Sequence, residues 1–151
     1  MILQKLDNDS LNHFPVVIFG SGPAGITTAL ELEKKNIKCL VIEAGGENYS
    51  EASQEFYKGK IIGDQILPLS ETRLRQLGGA SGHWGGQSKP LEDYTLELWP
   101  IKFDELKPYS KRTCKILNIN NQFRKAPLSK FFNQVEFQYS GVKFADKYKN
   151  H

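Results

Sequence analysis

FPVVIFGSGPAGITTALELEKKNIKCLVIE, residues 14–43, is the stretch that decides the fold. Val16 to Phe19 form a continuous apolar run, the mark of a strand covered on both faces. The run stops at Gly20, and Gly20-x-Gly22-x-x-Gly25 opens directly into a helical pattern. Gly20 permits a tight turn, Gly22 lets another group approach the backbone, and Gly25 allows the helix to lie close against the strand. Pro23 suits the first helical position, where its missing N–H is no loss.

The pattern predicts a helix to about Lys35. Gly25, Ile26, Ala29, Leu30 and Leu32 lie on one broad side, and Thr27, Glu31, Lys34 and Lys35 on the other. Glu33 interrupts the apolar arc in the last turn, where it still reaches water. Lys34 and Lys35 complement the negative helix end. Asn36 stands where a left-handed cap is expected. A second apolar run, Cys39 to Ile42, ends in Glu43, about 20 residues beyond the glycines, the place for an acid that accepts hydrogen bonds from a ribose.

Strand, glycine turn, helix, strand and terminal acid together predict a fold of the α/β class. It is a Rossmann-like βαβ unit, part of a doubly wound parallel sheet, that binds an adenine dinucleotide. The diphosphate belongs at the helix N-terminus, where free N–H groups and the helix dipole favour negative charge. Ser21, Pro23 and Ala24, between the glycines, and Ala44, after the acid, complete this half of the candidate site.

The 151 residues match the size of one ordinary domain. Twenty basic against 17 acidic residues give a net charge of +3, without a basic run, so charge points neither to nucleic acid nor to an anionic membrane surface. The opening MILQKLDNDSLNHF carries acids and amides where a signal peptide needs an apolar core, and no run is long enough for a membrane span. Cys39 and Cys114 read as buried thiols of a reducing compartment, with nothing to favour a disulfide between them. The expectation is a cytoplasmic protein. No residue set suggests a metal site.

Residues 1–13 read as a polar lead-in, with His13 as a surface residue. Beyond Ala44-Gly45-Gly46, a short helix is expected around Glu51 to Lys58, with Phe56 and Tyr57 packing. Ile61, Ile62, Ile66 and Leu67 are broken by Gly63, Asp64 and Pro68 and predict only extended or irregular chain. RLRQLGGASGHWGG, residues 73–86, is the second dense stretch. Its five glycines between Gly78 and Gly86 rule out a stable helix or an ordinary strand and let the backbone run flush against a flat ligand. Trp99-Pro100 predicts a turn. A helix is expected from Leu106 or Pro108 to Leu117, poorly capped, with Tyr109, Cys114 and Leu117 at helical spacing. From Asn118 a loop is expected through Pro127. Val135, Phe137 and Tyr139 then alternate like a half-exposed strand, and Phe144 to His151 reads as a polar tail.

GSGPAG, VIEAGG, RLRQLGGASGHWGG and WPIKFDELKPYSKRTCKIL together resemble the glucose–methanol–choline (GMC) family of FAD-dependent oxidoreductases, over most of residues 15–117. VEFQYSGVKFADKY also looks like the passage of such proteins into their substrate-binding sheet. The resemblance implies FAD, with Gly20, Gly22 and Gly25 at the diphosphate and Glu43 at the adenosine ribose. It places Gly78, Gly79 and Ser81 near the cofactor, and gives Arg75 two readings, a phosphate partner or an ordinary surface arginine. SGHW resembles the STHW of fungal pyranose oxidases, whose histidine is covalently joined to the flavin. His83 is therefore either such a link or a histidine beside the flavin without one, and Gly85, where those oxidases have threonine, weighs against the link. Trp84 reads as packing.

Family members oxidise an alcohol or sugar by hydride transfer to the flavin N5, using a base far downstream that this sequence does not match. The expectation is thus the N-terminal FAD-binding part of such an enzyme, apparently truncated and without its base. Its parts would be a lead-in (1–13), a partial FAD-binding domain (14–117) and the start of a substrate-binding domain (118–151). It would be completed by a missing C-terminal part or a complementing subunit. The alternatives are a small nicotinamide-dinucleotide-binding domain, or a non-catalytic remnant that pairs with a larger partner.

Overall fold

The computed structural model describes residues 2, 5, 11–64, 67–91, 93–123 and 137–150. They fall into two compact units, one drawn from Met1–Trp84 with Lys143–His151, the other from Gly85–Val142.

In the first unit the apolar run Val16–Phe19 is strand β1, Pro23–Glu33 is helix α1, and Cys39–Ile42 is strand β2. The strands pair in parallel, Val16 with Cys39 through Phe19 with Ile42. This is the Rossmann-like α/β arrangement expected. Pro23 occupies the first turn of α1, and Asn36 takes a φ of 57° just beyond the helix, as its cap role requires. The close approach at Gly25 is equally clear. A Cβ there would collide with the Gly20 carbonyl and reach to 3.4 Å from Ile18 Cγ2.

One expectation is corrected. The two strands are not buried on both faces: every residue is half-buried except Phe19, which is 81 % exposed. Among the described residues the sheet has two short strands, and the 11-residue helix α1 gives too little cover to bury them.

The chain continues through helix α2 (Glu51–Gln54), a 3₁₀ turn (Glu55–Tyr57), helix α3 (Leu69–Thr72) and a second 3₁₀ turn (Gly79–Gly82). Ser50 caps α2 through its hydroxyl. Buried Gln54 staples residues 70–75. Its Nε2 donates to the carbonyls of Ser70 and Arg73, and its Oε1 accepts the Arg75 N–H. A bridge between Gly46 and Gln76, with Leu77 N–H donating to Gly46 O at 2.9 Å, then lays the approach to the second glycine cluster beside the continuation of β2.

The C-terminal stretch departs from the polar tail expected. Phe144–Tyr148 is a helix, and Phe144, at 1 % exposure, is among the most enclosed side chains described. Its ring meets Tyr148 one turn on, centroids 5.5 Å apart. Ile66, Val135 and His151 lie outside the described residues.

In the second unit, Gln87–Ser88 (β3) pairs antiparallel with Gln138–Tyr139 (β4). Helix α4 (Phe103–Leu106) leads through a 3₁₀ turn (Lys107–Tyr109) into helix α5 (Ser110–Leu117). The predicted cap weakness is partly relieved by Glu105, whose carboxylate accepts the Lys102 N–H at 2.8 Å. Numbering the last helix, Phe144–Tyr148, as α6 completes the chain order. Leu96 and Cys114 are the buried apolar residues described in this unit.

Both cysteines are free thiols. Burial pushes the Cys114 thiol up, and burial followed by the Glu33 carboxylate does the same to Cys39. A raised thiol pKa means the folded chain keeps its proton longer than the unfolded one. That stability is therefore intact at neutral pH and declines as pH climbs past the ordinary thiol value of about 8.5. Alkylation of the native chain at pH 7 should be slower than of the urea-unfolded chain. Equal rates would contradict this account.

Candidate functional site

Because Phe19 lies opposite Ile42 in the register, the next residues, Gly20 and Glu43, leave the sheet side by side at its carboxyl edge. The Gly20 N–H still donates to Ile42 O at 2.7 Å. Gly20 then turns at φ 94°, a conformation that favours glycine. Ligands of open α/β sheets lie in a crevice at this edge.

Such a crevice is present, with a volume of about 400 Å³. One wall is the first glycine turn and the start of α1, through Gly20, Gly22 and Pro23. A second is the end of β2 with Glu43 and Ala44. The third is Tyr57, Arg73 and Leu74, with Gly79 and Ala80 of the second cluster. The two clusters touch: a Cβ at Gly79, where φ is 56°, would lie 3.1 Å from Gly22 Cα. The space where Gly22 would carry a Cβ holds no atom within 4 Å.

Gly22 is also the N-cap residue of α1 and offers that helix no side-chain acceptor, and the first turn holds no acidic residue. The N-terminal N–H groups and the positive end of the dipole are thus left for a ligand. Arg73 is the one described cation among the lining residues, and it is exposed. An uncapped helix end, a cradle without side chains and an arginine fit a diphosphate.

Glu43 is heavily used. Its Oε2 accepts both the backbone N–H and the hydroxyl of Ser21, at 2.8 and 2.7 Å, and its Oε1 accepts the Gly45 N–H at 2.8 Å. A carboxylate has about four acceptor positions. Three are filled, and the open one is on Oε1. The carboxylate therefore fastens the glycine turn to the end of β2 and keeps room for one hydroxyl.

Of the residues singled out from sequence, Gly20, Gly22, Pro23, Glu43, Ala44 and Gly79 line the crevice. Ser21, Ala24, Gly25, Arg75, Gly78, Ser81 and His83 do not. Ser21 and Ser81 are each 1 % exposed, and Gly25 packs against Gly20. Arg75 turns toward α2, donating to Ser53 Oγ at 2.7 Å with its guanidinium 4.6 Å from the Phe56 ring centre. His83 is exposed, just past the second 3₁₀ turn. Sequence reasoning missed Tyr57, Arg73, Leu74 and Ala80, and read the strand ends Phe19 and Ile42 only as strand. An arginine two positions from Arg75 was visible, but only the Gln54 and Ser53 contacts decide which of the pair faces the crevice.

Among the described residues no helix is long and apolar enough to cross a membrane. No curated protein and no solved structure matches the chain. Residues 15–55 match the family described as FAD binding domain, a stretch that spans β1, the glycine turn, α1, β2 and Glu43. The cofactor of this α/β unit is FAD, and an FAD-binding domain points to a function of the flavin-dependent oxidoreductase type.

Proposed function

We propose that the chain is the FAD-binding portion of a flavin-dependent oxidoreductase acting on CH–OH groups, of the GMC type. The family matched over residues 15–55 is a different one, and that match ends before the second glycine cluster. The observation that carries the GMC reading is therefore the cluster itself, whose Gly79 lies against Gly22 on the wall of the crevice. Its order after the first motif, and before Trp99-Pro100-Ile101, supports the same reading.

In this reading the N-terminus of α1 and the bare backbone of Gly22 hold the diphosphate, and the open position on Glu43 Oε1 accepts a ribose hydroxyl. Arg73, rather than Arg75, supplies the cation. Bound there, FAD would supply the hydride acceptor for oxidation of an alcohol or sugar carbon. The chain's own residues bind and orient FAD, and none of them is assigned as the base that takes the hydroxyl proton. The chain with FAD alone should then leave the flavin oxidised in the presence of alcohols and sugars. Rapid bleaching would show that one of them is such a base.

Gly79→Val tests the reading directly. The new side chain would press on Gly22 from a backbone at positive φ, and FAD affinity should fall about tenfold or more. An unchanged affinity would confine the FAD site to residues 15–55 and remove the support for the GMC type. Arg73→Ala should weaken FAD roughly three- to tenfold, with a shallower salt dependence, whereas Arg75→Ala should change it less than about twofold. With Gly85 in place of threonine, His83 is read as unlinked: acid precipitation should release all the flavin, and colour in the pellet would show a covalent bond.

A further inference from the structure

Ser21 and Ser81 are joined by one run of hydrogen bonds that reaches from Glu43 to the C-terminal helix. The Ser21 hydroxyl donates to Glu43 Oε2 at 2.7 Å and accepts the Gly78 N–H at 3.0 Å. The Gly78 carbonyl accepts the Ser81 hydroxyl at 2.7 Å, and the Ser81 oxygen accepts the Phe144 N–H at 3.1 Å. Every donor points toward the carboxylate, and each serine hydroxyl, accepting one bond and donating the next, strengthens its own pair. Between the two pairs the link is the backbone of Gly78, whose N–H and carbonyl belong to different peptide groups. Both hydroxyls are enclosed and neither lines the crevice, so neither is placed to touch the cofactor. What they hold are the two residues flanking Gly79 and Ala80, which do line it.

The C-terminal end of the run is tightly seated. Phe144 is buried, and a Cβ at Gly78 would lie 2.7 Å from the Ala145 nitrogen. Gly78 has a φ of 84° and no room for a side chain, so helix α6 backs directly onto the second cluster.

We propose that Ser21 and Ser81 are positioning residues for FAD, and that residues 143–150 are an integral part of the cofactor-binding unit. Their docking and FAD binding are coupled through this clamp. The inference rests on FAD occupying the crevice between the two clusters. Coupling is reciprocal: if the docked segment holds Gly79 and Ala80 in place for FAD, FAD must tighten the docked segment.

The test is amide hydrogen exchange of the full chain with and without FAD, with affinity followed by flavin fluorescence. FAD should slow exchange of the peptide containing Phe144–Tyr148 roughly five- to tenfold. Ser81→Ala should weaken FAD roughly three- to tenfold and abolish that protection, while Ser81→Thr, which keeps the hydroxyl, should restore both. If Ser81→Ala fails to fold, exchange of the unsubstituted chain decides alone. Bound FAD with unchanged exchange at Phe144–Tyr148, or a Ser81→Ala chain that binds FAD at full strength, overturns the clamp and leaves the FAD site standing. An unsubstituted chain that does not bind FAD overturns both.

Discussion

Gly25→Val is expected to cost the chain about 3 kcal/mol or more of stability and to lower FAD affinity at least about a hundredfold. The cause is local and unavoidable. The new Cβ would stand on the Gly20 carbonyl oxygen, a backbone atom that cannot turn aside as a flexible side chain would. Relief requires moving α1 away from β1, or opening the Gly20 turn. Either shift displaces the helix N-terminus from the carboxyl edge of the sheet, so the fault at a residue outside the crevice is read inside it. Gly25→Ala should show the same loss in milder form, because alanine already carries the offending atom. Thermal melting with flavin-fluorescence titration measures both parts. Wild-type affinity in the valine variant would mean that the glycine turn does not set the FAD site.

Glu43→Ala carries the second large effect. It strips the acceptor from the Ser21 N–H, the Ser21 hydroxyl and the Gly45 N–H at once. Ser21 is fully enclosed, so water cannot readily replace the lost partner. Each unmatched buried donor costs about 1–3 kcal/mol, and the loss here should be about 3–5 kcal/mol. Glu43→Gln separates structure from binding. Its one carbonyl oxygen can keep the Ser21 pair, but its amide then turns donors toward Gly45 N–H and toward the open acceptor position. It should be less damaging to stability than alanine, yet still weaken FAD about tenfold or more. A glutamine variant that bound FAD normally would show that the ribose does not use this carboxylate.

The parts of the fold that rest on local constraint were legible in the amino-acid sequence. The apolar runs of β1 and β2, the Gly20 turn, Pro23 at the start of α1 and the left-handed Asn36 each follow from what one residue or a short period permits. Glu43 was legible as an acid at a strand end, but not as the acceptor that fastens Ser21 and Gly45. The rest depends on contacts with no local period. The bonds from Gly78 to Ser21 and from Phe144 to Ser81 span 57 and 63 residues. FADKY looks polar because only Phe144 carries its burial. Arg73 and Arg75 look alike in sequence and are separated by Gln54 and Ser53, some twenty residues earlier. The depth of the strands was misjudged because an apolar run signals what a strand can bury, whereas its actual cover depends on how many neighbours the sheet has.

The most direct test of the central claim is a titration of FAD into the purified chain beside the Gly25→Val variant, followed by flavin fluorescence and by flavin absorbance after gel filtration. The account predicts saturable quenching at one FAD per chain and flavin that travels with the protein, with both lost in the variant. Flavin that elutes free of the unsubstituted chain, or that binds both chains equally, would contradict it.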